Sequence, residues 1–167
     1  MSPTDLKLVT YPHPALLRKC EALTGIDDAI RANVQRMFEI MHESHGVGLA
    51  APQVAWNVRL LVLNSGEEGA ADEVLVNPKI VRRRGKALGE EGCLSFPGIF
   101  VQVERAKEID IEYLTLDGAP KAETRGDFSA RIIQHEMDHL DNVLLVHRMS
   151  PADRVRFKRD LEAMADR

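Results

Sequence analysis

Gln134-His135-Glu136-Met137-Asp138-His139-Leu140 is the stretch whose reading decides the fold and the chemistry of this chain. Phe128, Ile132, Ile133 and Leu140 recur around it at helical spacing, and Asp127 is a predicted N-cap, so a helix is expected. Residues four apart share one helical face, which lets His135 and His139 grip one metal ion and places Glu136 to handle a proton on a water. A His-Glu-x-x-His box on a solvated helix decides little alone. Here the apolar neighbours bury much of the helix, and a buried imidazole pair without partners is costly. A metal satisfies both rings, and the chemistry it suggests is metal-assisted hydrolysis.

The third ligand fixes which bond is cut. Zinc proteases with this box usually complete the site downstream, where His147, Asp141 and the acids of the last helix are available. The better candidate lies upstream, in Glu90-Glu91-Gly92-Cys93-Leu94-Ser95-Phe96-Pro97-Gly98. A cysteine flanked by glycine and polar residues on a loop is unlike a packed core cysteine, and a nearby metal would hold it as thiolate. Gly92 lets backbone approach a ligand closely. A third element is Gly46-Val47-Gly48-Leu49-Ala50-Ala51-Pro52-Gln53. Its glycines allow close backbone approach, and Gln53 offers a neutral amide donor for a developing oxyanion. It lacks the Lys-Ser/Thr ending of a phosphate loop.

Around these elements, Ile26, Ile30, Val34, Met37, Phe38 and Met41 predict a core-facing helix from about 27 to 44, stopped at Gly46. Strands are expected at 58–63, 74–81, 100–103 and around Ile109, Ile111 and Tyr113, before an Asp117-Gly118 turn. Ser150-Pro151-x-Asp153 opens a last helix, because serine caps, proline fits the first turn and an acid suits the positive dipole end. Strands clustered between helices favour α+β over a doubly wound sheet. The expected architecture is a single catalytic domain over 1–167, with antiparallel or mixed β-sheets around a central helix carrying the box, an N-terminal helix and a C-terminal helix.

Bulk properties exclude other classes. With 22 Lys+Arg against 26 Asp+Glu the net charge is −4, so no overall basic field argues for sequence-specific nucleic-acid binding. The 2 cysteines, Cys20 and Cys93, leave room for one bridge but not a disulfide framework. No run approaches the ~18 apolar residues of a membrane span, and the first residues show no secretory pattern. A cytoplasmic, reduced compartment is expected, or an organelle if a leader has been removed.

Taken together, Gly46-x-Gly48-Leu49-Ala50-Ala51-Pro52-Gln53, Glu91-Gly92-Cys93-Leu94-Ser95 and Gln134-His135-Glu136-x-Asp138-His139-Leu140 resemble the three signature motifs of the peptide deformylase family, in the family's order and with similar spacing. Asn142 stands where the family commonly has glycine, and asparagine tolerates the same left-handed backbone. The resemblance implies removal of the N-formyl group from the initiator methionine of nascent chains. It assigns Cys93, His135 and His139 to one divalent metal, ferrous iron in the family and often zinc, nickel or cobalt after preparation. Glu136 is then the general base and acid, and the Gln53 amide and Leu94 N–H hold the oxyanion. Backbone around Gly46, Val47, Gly48 and Gly92 is expected to pair with an extended formyl-methionyl peptide, with Val47, Phe128 and Ile132 forming the methionine pocket. Arg154, Arg156, Lys158 and Arg159, opposite Phe157, Leu161 and Met164, resemble the ribosome-docking terminal helix of some bacterial members. Arg105 and Arg125 are expected to brace acids near Cys93. A metallopeptidase or a binding module without turnover is the competing reading; Cys93 with Gln53 argues against the first, and Glu136 with Gln53 against the second.

Overall fold

A computed structural model describes residues 3–166, and these form an α+β fold with antiparallel sheets. Helix α1 (Asp28–Glu43) is capped by Asp27, whose carboxylate accepts the Ile30 N–H at 2.9 Å, and buries Val34, Met37, Ile40 and Met41. It ends with His45 in the left-handed region and the Gly46 N–H bonded to Met41 O at 2.9 Å. The turn residue is therefore His45. Gly46 leaves room for the Leu94 side chain, since a Cβ there would lie 2.8 Å from Leu94 Cδ1.

Strands β1 (Gly48–Ala50), β2 (Leu60–Leu63) and β3 (Glu73–Arg84) follow. Then come β4 (Ala87–Cys93), β5 (Phe96–Arg105), β6 (Glu108–Leu114) and β7 (Pro120–Gly126). They make a five-stranded sheet in the order β1-β2-β3-β6-β7 and a separate β4-β5 hairpin. Every residue of β2 is buried, as expected for a strand covered on both faces. Leu60 and Val62 pack towards α1 with Val34, Met37 and Met41. Leu61 and Leu63 pack on the other side with Leu75, Ile109 and Ile111 against Ala130, Ile133, Met137 and Leu140.

These last four belong to α2 (Asp127–Leu140), the helix that carries the box. Its cap differs from expectation: Gly126 occupies the cap position without a side-chain bond, and Asp127 opens the helix at φ 49° with its N–H on Lys107 O. Backbone from the β5–β6 turn, not an acidic cap, holds the start of the helix. Gln134 pins the middle of α2 by exchanging two hydrogen bonds with the Ala106 backbone, at 3.0 and 2.9 Å.

Short helix α3 (Leu145–Arg148) leads to α4 (Pro151–Arg156) and α5 (Lys158–Ala165). The single C-terminal helix expected from Ser150 is thus broken at Phe157. The break lets Phe157 and Met164 both reach the inner face of the hairpin, where Ile99, Val101 and Val103 form a third core cluster with Leu144, Leu145 and Met149. Asn142 takes the left-handed backbone its position demands, at φ 59°. Among the described residues no helix is long and apolar enough to cross a membrane.

Candidate metal centre and substrate cleft

His135 and His139 project from one face of α2 towards the end of β4, where Cys93 sits beside the hairpin turn. Their ligand atoms and the Cys93 sulfur all lie within 4.8 Å of one another. His135 Nδ1 is 2.9 Å from Glu91 Oε1, which leaves Nε2 for the centre of the group. His139 is 2% exposed, with Nε2 at 3.3 Å from Cys93 Sγ. Burial, joined by the positive charges of His135 and Arg105, holds its imidazole well below the usual range and therefore neutral, the form that ligates. A thiolate with two imidazoles fits a divalent transition ion with a position left open. The downstream alternatives are engaged elsewhere: His147 Nδ1 accepts the Leu144 N–H at 2.8 Å, and Asp141 pairs with Arg59 at 3.0 Å. Both cysteines are free, so the conceivable Cys20–Cys93 bridge does not form.

Glu136 lies on the next position of the helix, 4% exposed, with Oε1 meeting no hydrogen-bond partner among the described residues. Burial, reinforced by the Glu91 and Asp138 charges against the pull of His135 and Arg105, pushes its carboxyl up to about 7. An acid poised near neutrality can both take and return a proton. Gly48 makes room for it, since a Cβ there would lie 2.6 Å from Glu136 Oε2 and 2.8 Å from Ile132 Cγ2. The close approach expected at this glycine is thus made by the catalytic helix's side chains.

Gln53 lies in a 3-10 turn, Ala51–Val54, and is buried. Its carbonyl accepts the Ala50 N–H at 2.9 Å, which fixes the amide orientation. Its Nε2 donates to Ser95 Oγ at 3.2 Å and approaches Cys93 Sγ at 3.6 Å. Ser95 in turn donates to Val9 O at 2.8 Å. The amide donor is thereby held at the sulfur's side of the group.

A cavity of about 520 Å³ opens over these residues. Gly46, Val47, Gly48, Gln53, Gly92, Cys93, Leu94, Phe128, Ile132, His135 and Glu136 all line it, while His139 lies beneath. Sequence reasoning missed Phe100 and Arg131 in the same wall. Phe100 packs so close on Gly92 that a Cβ there would sit 2.6 Å from its ring carbon Cε1, and the ring would have to shift. The outward alternation of β5 was the available signal for Phe100.

Glu91 is the hub behind the ligands. It accepts Arg105 through two nitrogens at 3.0 and 2.8 Å, Arg131 at 2.6 Å and His135. Burial alone would raise its carboxyl, but hydrogen bonds from His135 and Arg105 and their charges bring it down to about 2. Arg105 thus braces the acid beside Cys93 as expected. Arg125 does not: it pairs with Glu73 and Glu123 on the far sheet.

An α+β fold that sets a Cys/His/His group beside a buried glutamate, at the foot of a peptide-sized cleft, defines a metal-dependent hydrolase. The polypeptide deformylase family model matches residues 5–155. A peptide deformylase of Alkalilimnicola ehrlichii is 41% identical over 160 residues, covering 95% of this chain and 90% of its own. The chloroplastic/mitochondrial peptide deformylase 1B of Arabidopsis thaliana is also 41% identical over 96% of this chain, which spans 60% of that longer protein. The crystal structure of the Plasmodium falciparum peptide deformylase superposes with a TM-score of 0.92 at 37% identity, covering 96% of this chain and 95% of its own. The chain belongs to the polypeptide deformylase family.

Proposed function

We infer that this enzyme removes the N-formyl group from the initiator methionine of newly made polypeptides, releasing formate, and that residues 1–167 act as one catalytic domain organised around α2. The observation that carries the assignment of roles is the Glu136 carboxyl, 4% exposed and with Oε1 meeting no hydrogen-bond partner among the described residues, beside the Cys93, His135 and His139 group. Those three residues would hold one divalent ion, ferrous iron by family expectation, with zinc, nickel or cobalt able to take its place. Such an ion supplies an acidified water and polarises the formyl oxygen.

Glu136 accepts a proton from the water oxygen that attacks the formyl carbon. It then delivers that proton to the methionine nitrogen as the C–N bond breaks, so formate and a free amine leave. The Gln53 amide, locked by Ala50 and Ser95, donates to the oxyanion, and the Leu94 N–H at the hairpin turn supplies a second donor. Val47, Phe128 and Ile132 receive the methionine side chain, while backbone at Gly46 to Gly48 and at Gly92 pairs with the extended peptide. This recognition ignores most downstream side chains, as an enzyme acting on many chains requires.

The cytoplasm is the expected site of action, with an organelle of bacterial descent as the alternative. Arg154, Arg156, Lys158 and Arg159 are exposed while Phe157 and Met164 face the hairpin, which supports docking of α4 and α5 on ribosomal phosphates. Formate release from formyl-Met-Ala-Ser by anaerobically prepared protein tests the assignment, alongside Glu136→Ala and Cys93→Ser. Turnover by the native enzyme and not by Glu136→Ala is the expected result. Cleavage of unformylated peptide would point instead to a peptidase, and metal-loaded protein without formate release to a binding module.

A further inference from the structure

Asp138 sits on α2 between the two histidines, yet its carboxylate turns away from the cleft and lies between two arginines. It accepts Arg105 Nη1 at 2.6 Å, and Arg148 Nε and Nη2 at 2.9 and 2.8 Å. The remaining nitrogens of Arg105 hold Glu91, which holds His135 Nδ1. An unbroken line of charge-assisted bonds therefore runs from Arg148, the last residue of α3, to the ring of a metal ligand.

The line matters because of where the third ligand is mounted. Cys93 belongs to the β4-β5 hairpin, which among the described residues has no strand pairing with the five-stranded sheet. The segment from α3 to α5 covers the hairpin through Leu145, Met149, Phe157 and Met164. The same segment reaches α2 through the Arg148 fork. Its position is thus referred to both halves of the metal centre at once. Asp138 is 16% exposed and Arg148 45%, so the outer arm of the line lies where salt can reach it.

We propose that Arg148 is a positioning residue for the metal centre: through Asp138, Arg105 and Glu91 it sets the His135 ring and ties the terminal helices to the site. The inference rests on the metallohydrolase reading for its metal, and on nothing about the substrate. Direct partners of metal ligands typically change affinity ~10–100-fold; Arg148 acts further out, so a roughly three- to tenfold effect is expected.

The test uses the full chain loaded with cobalt(II), following metal release to excess chelator, the visible cobalt bands, and kcat and KM. Arg148→Met is expected to release metal about three to ten times faster, to shift the bands and to lower kcat by a similar factor with KM unchanged. Arg148→Lys should fall between, because an ammonium restores charge but not the two-pronged contact. A lowered melting midpoint with native release rate and native bands would overturn the proposal. Should Arg148→Met not fold, the native protein decides, since this half-exposed fork is screened by salt. Going from ~0.05 to ~1 M NaCl should speed release; an unchanged rate overturns the proposal. Loss of formate production with normal metal release would strike the deformylase assignment and leave this inference standing.

Discussion

The two halves of the metal centre are held in different ways. His135, Glu136 and His139 stand on a helix whose opposite face, Ala130, Ile133, Met137 and Leu140, is buried against β2, β3 and β6. Cys93 and Leu94 stand at the end of a two-stranded hairpin, whose inner face is covered by Val9, Tyr11 and Leu16 near one end of the chain and by Leu144 and the α3–α5 segment near the other. The first half is part of the main core and inherits its rigidity. The second is a peripheral layer, registered to the first by Arg105, Arg131 and the Glu91 carboxylate. The Cys/His/His group is therefore a tertiary contact between two cores, and the proposed proton chemistry lies on the more rigid side of it.

Breaking the helix half should have the largest effect. Glu136→Ala removes the carboxyl proposed to move the proton, and kcat should fall by ~10²–10⁴-fold with metal content unchanged by elemental analysis. Retained turnover would assign the proton step elsewhere. Gln53→Ala comes next, with an expected loss of ~10²–10³-fold in kcat, because one oriented oxyanion donor disappears while the thiolate and imidazoles stay. A rise confined to KM would make Gln53 a substrate clamp. Gly48→Ala should follow at roughly 10²-fold, since an added methyl would stand 2.6 Å from Glu136 Oε2 and displace the carboxyl from the place proposed for proton transfer. If Gly48→Ala keeps native kcat, the carboxyl can shift freely, and rigidity is not what the helix half provides.

The same contrast explains what was legible in the sequence. Helix α1 and the box helix showed because their apolar spacing matches one face of a core. Strand β2 showed as an unbroken apolar run. Ala87–Cys93 did not show as a strand, because two glycines and two glutamates have low strand propensity. Their conformation is imposed by pairing with β5 and by the Phe100 ring lying on Gly92. Strand β7 is a polar edge, and its pattern carries no period-two apolar signal. Arg105 and Arg125 looked alike as basic residues near acids. Only strand alternation, which turns Arg105 into the hairpin's inner face, separates the one that reaches Glu91 from the one that does not. The break at Phe157 had no local signal, since the residue turns to meet a hairpin that is distant in sequence.

The smallest predicted effect probes how the hairpin half is fastened. Glu91 has its carboxyl lowered to about 2, against about 4.3 for an unfolded chain, so between those values the unfolded state binds the proton and the folded state does not. The stability contributed by this ionised carboxylate is accordingly full above about pH 4.5 and is lost as pH falls through about 2. Chelator-treated protein should be used, so that loss of metal from the histidines does not enter. Glu91→Gln, which keeps the shape and removes the charge, should melt below the native chain at neutral pH. The gap between their melting midpoints should then close progressively from about pH 4.5 towards 2. A gap of equal size at pH 7 and pH 2 would mean that Glu91 holds the two cores together by packing and not by its charge, and the contrast between a core-built half and an ion-paired half would lose its basis.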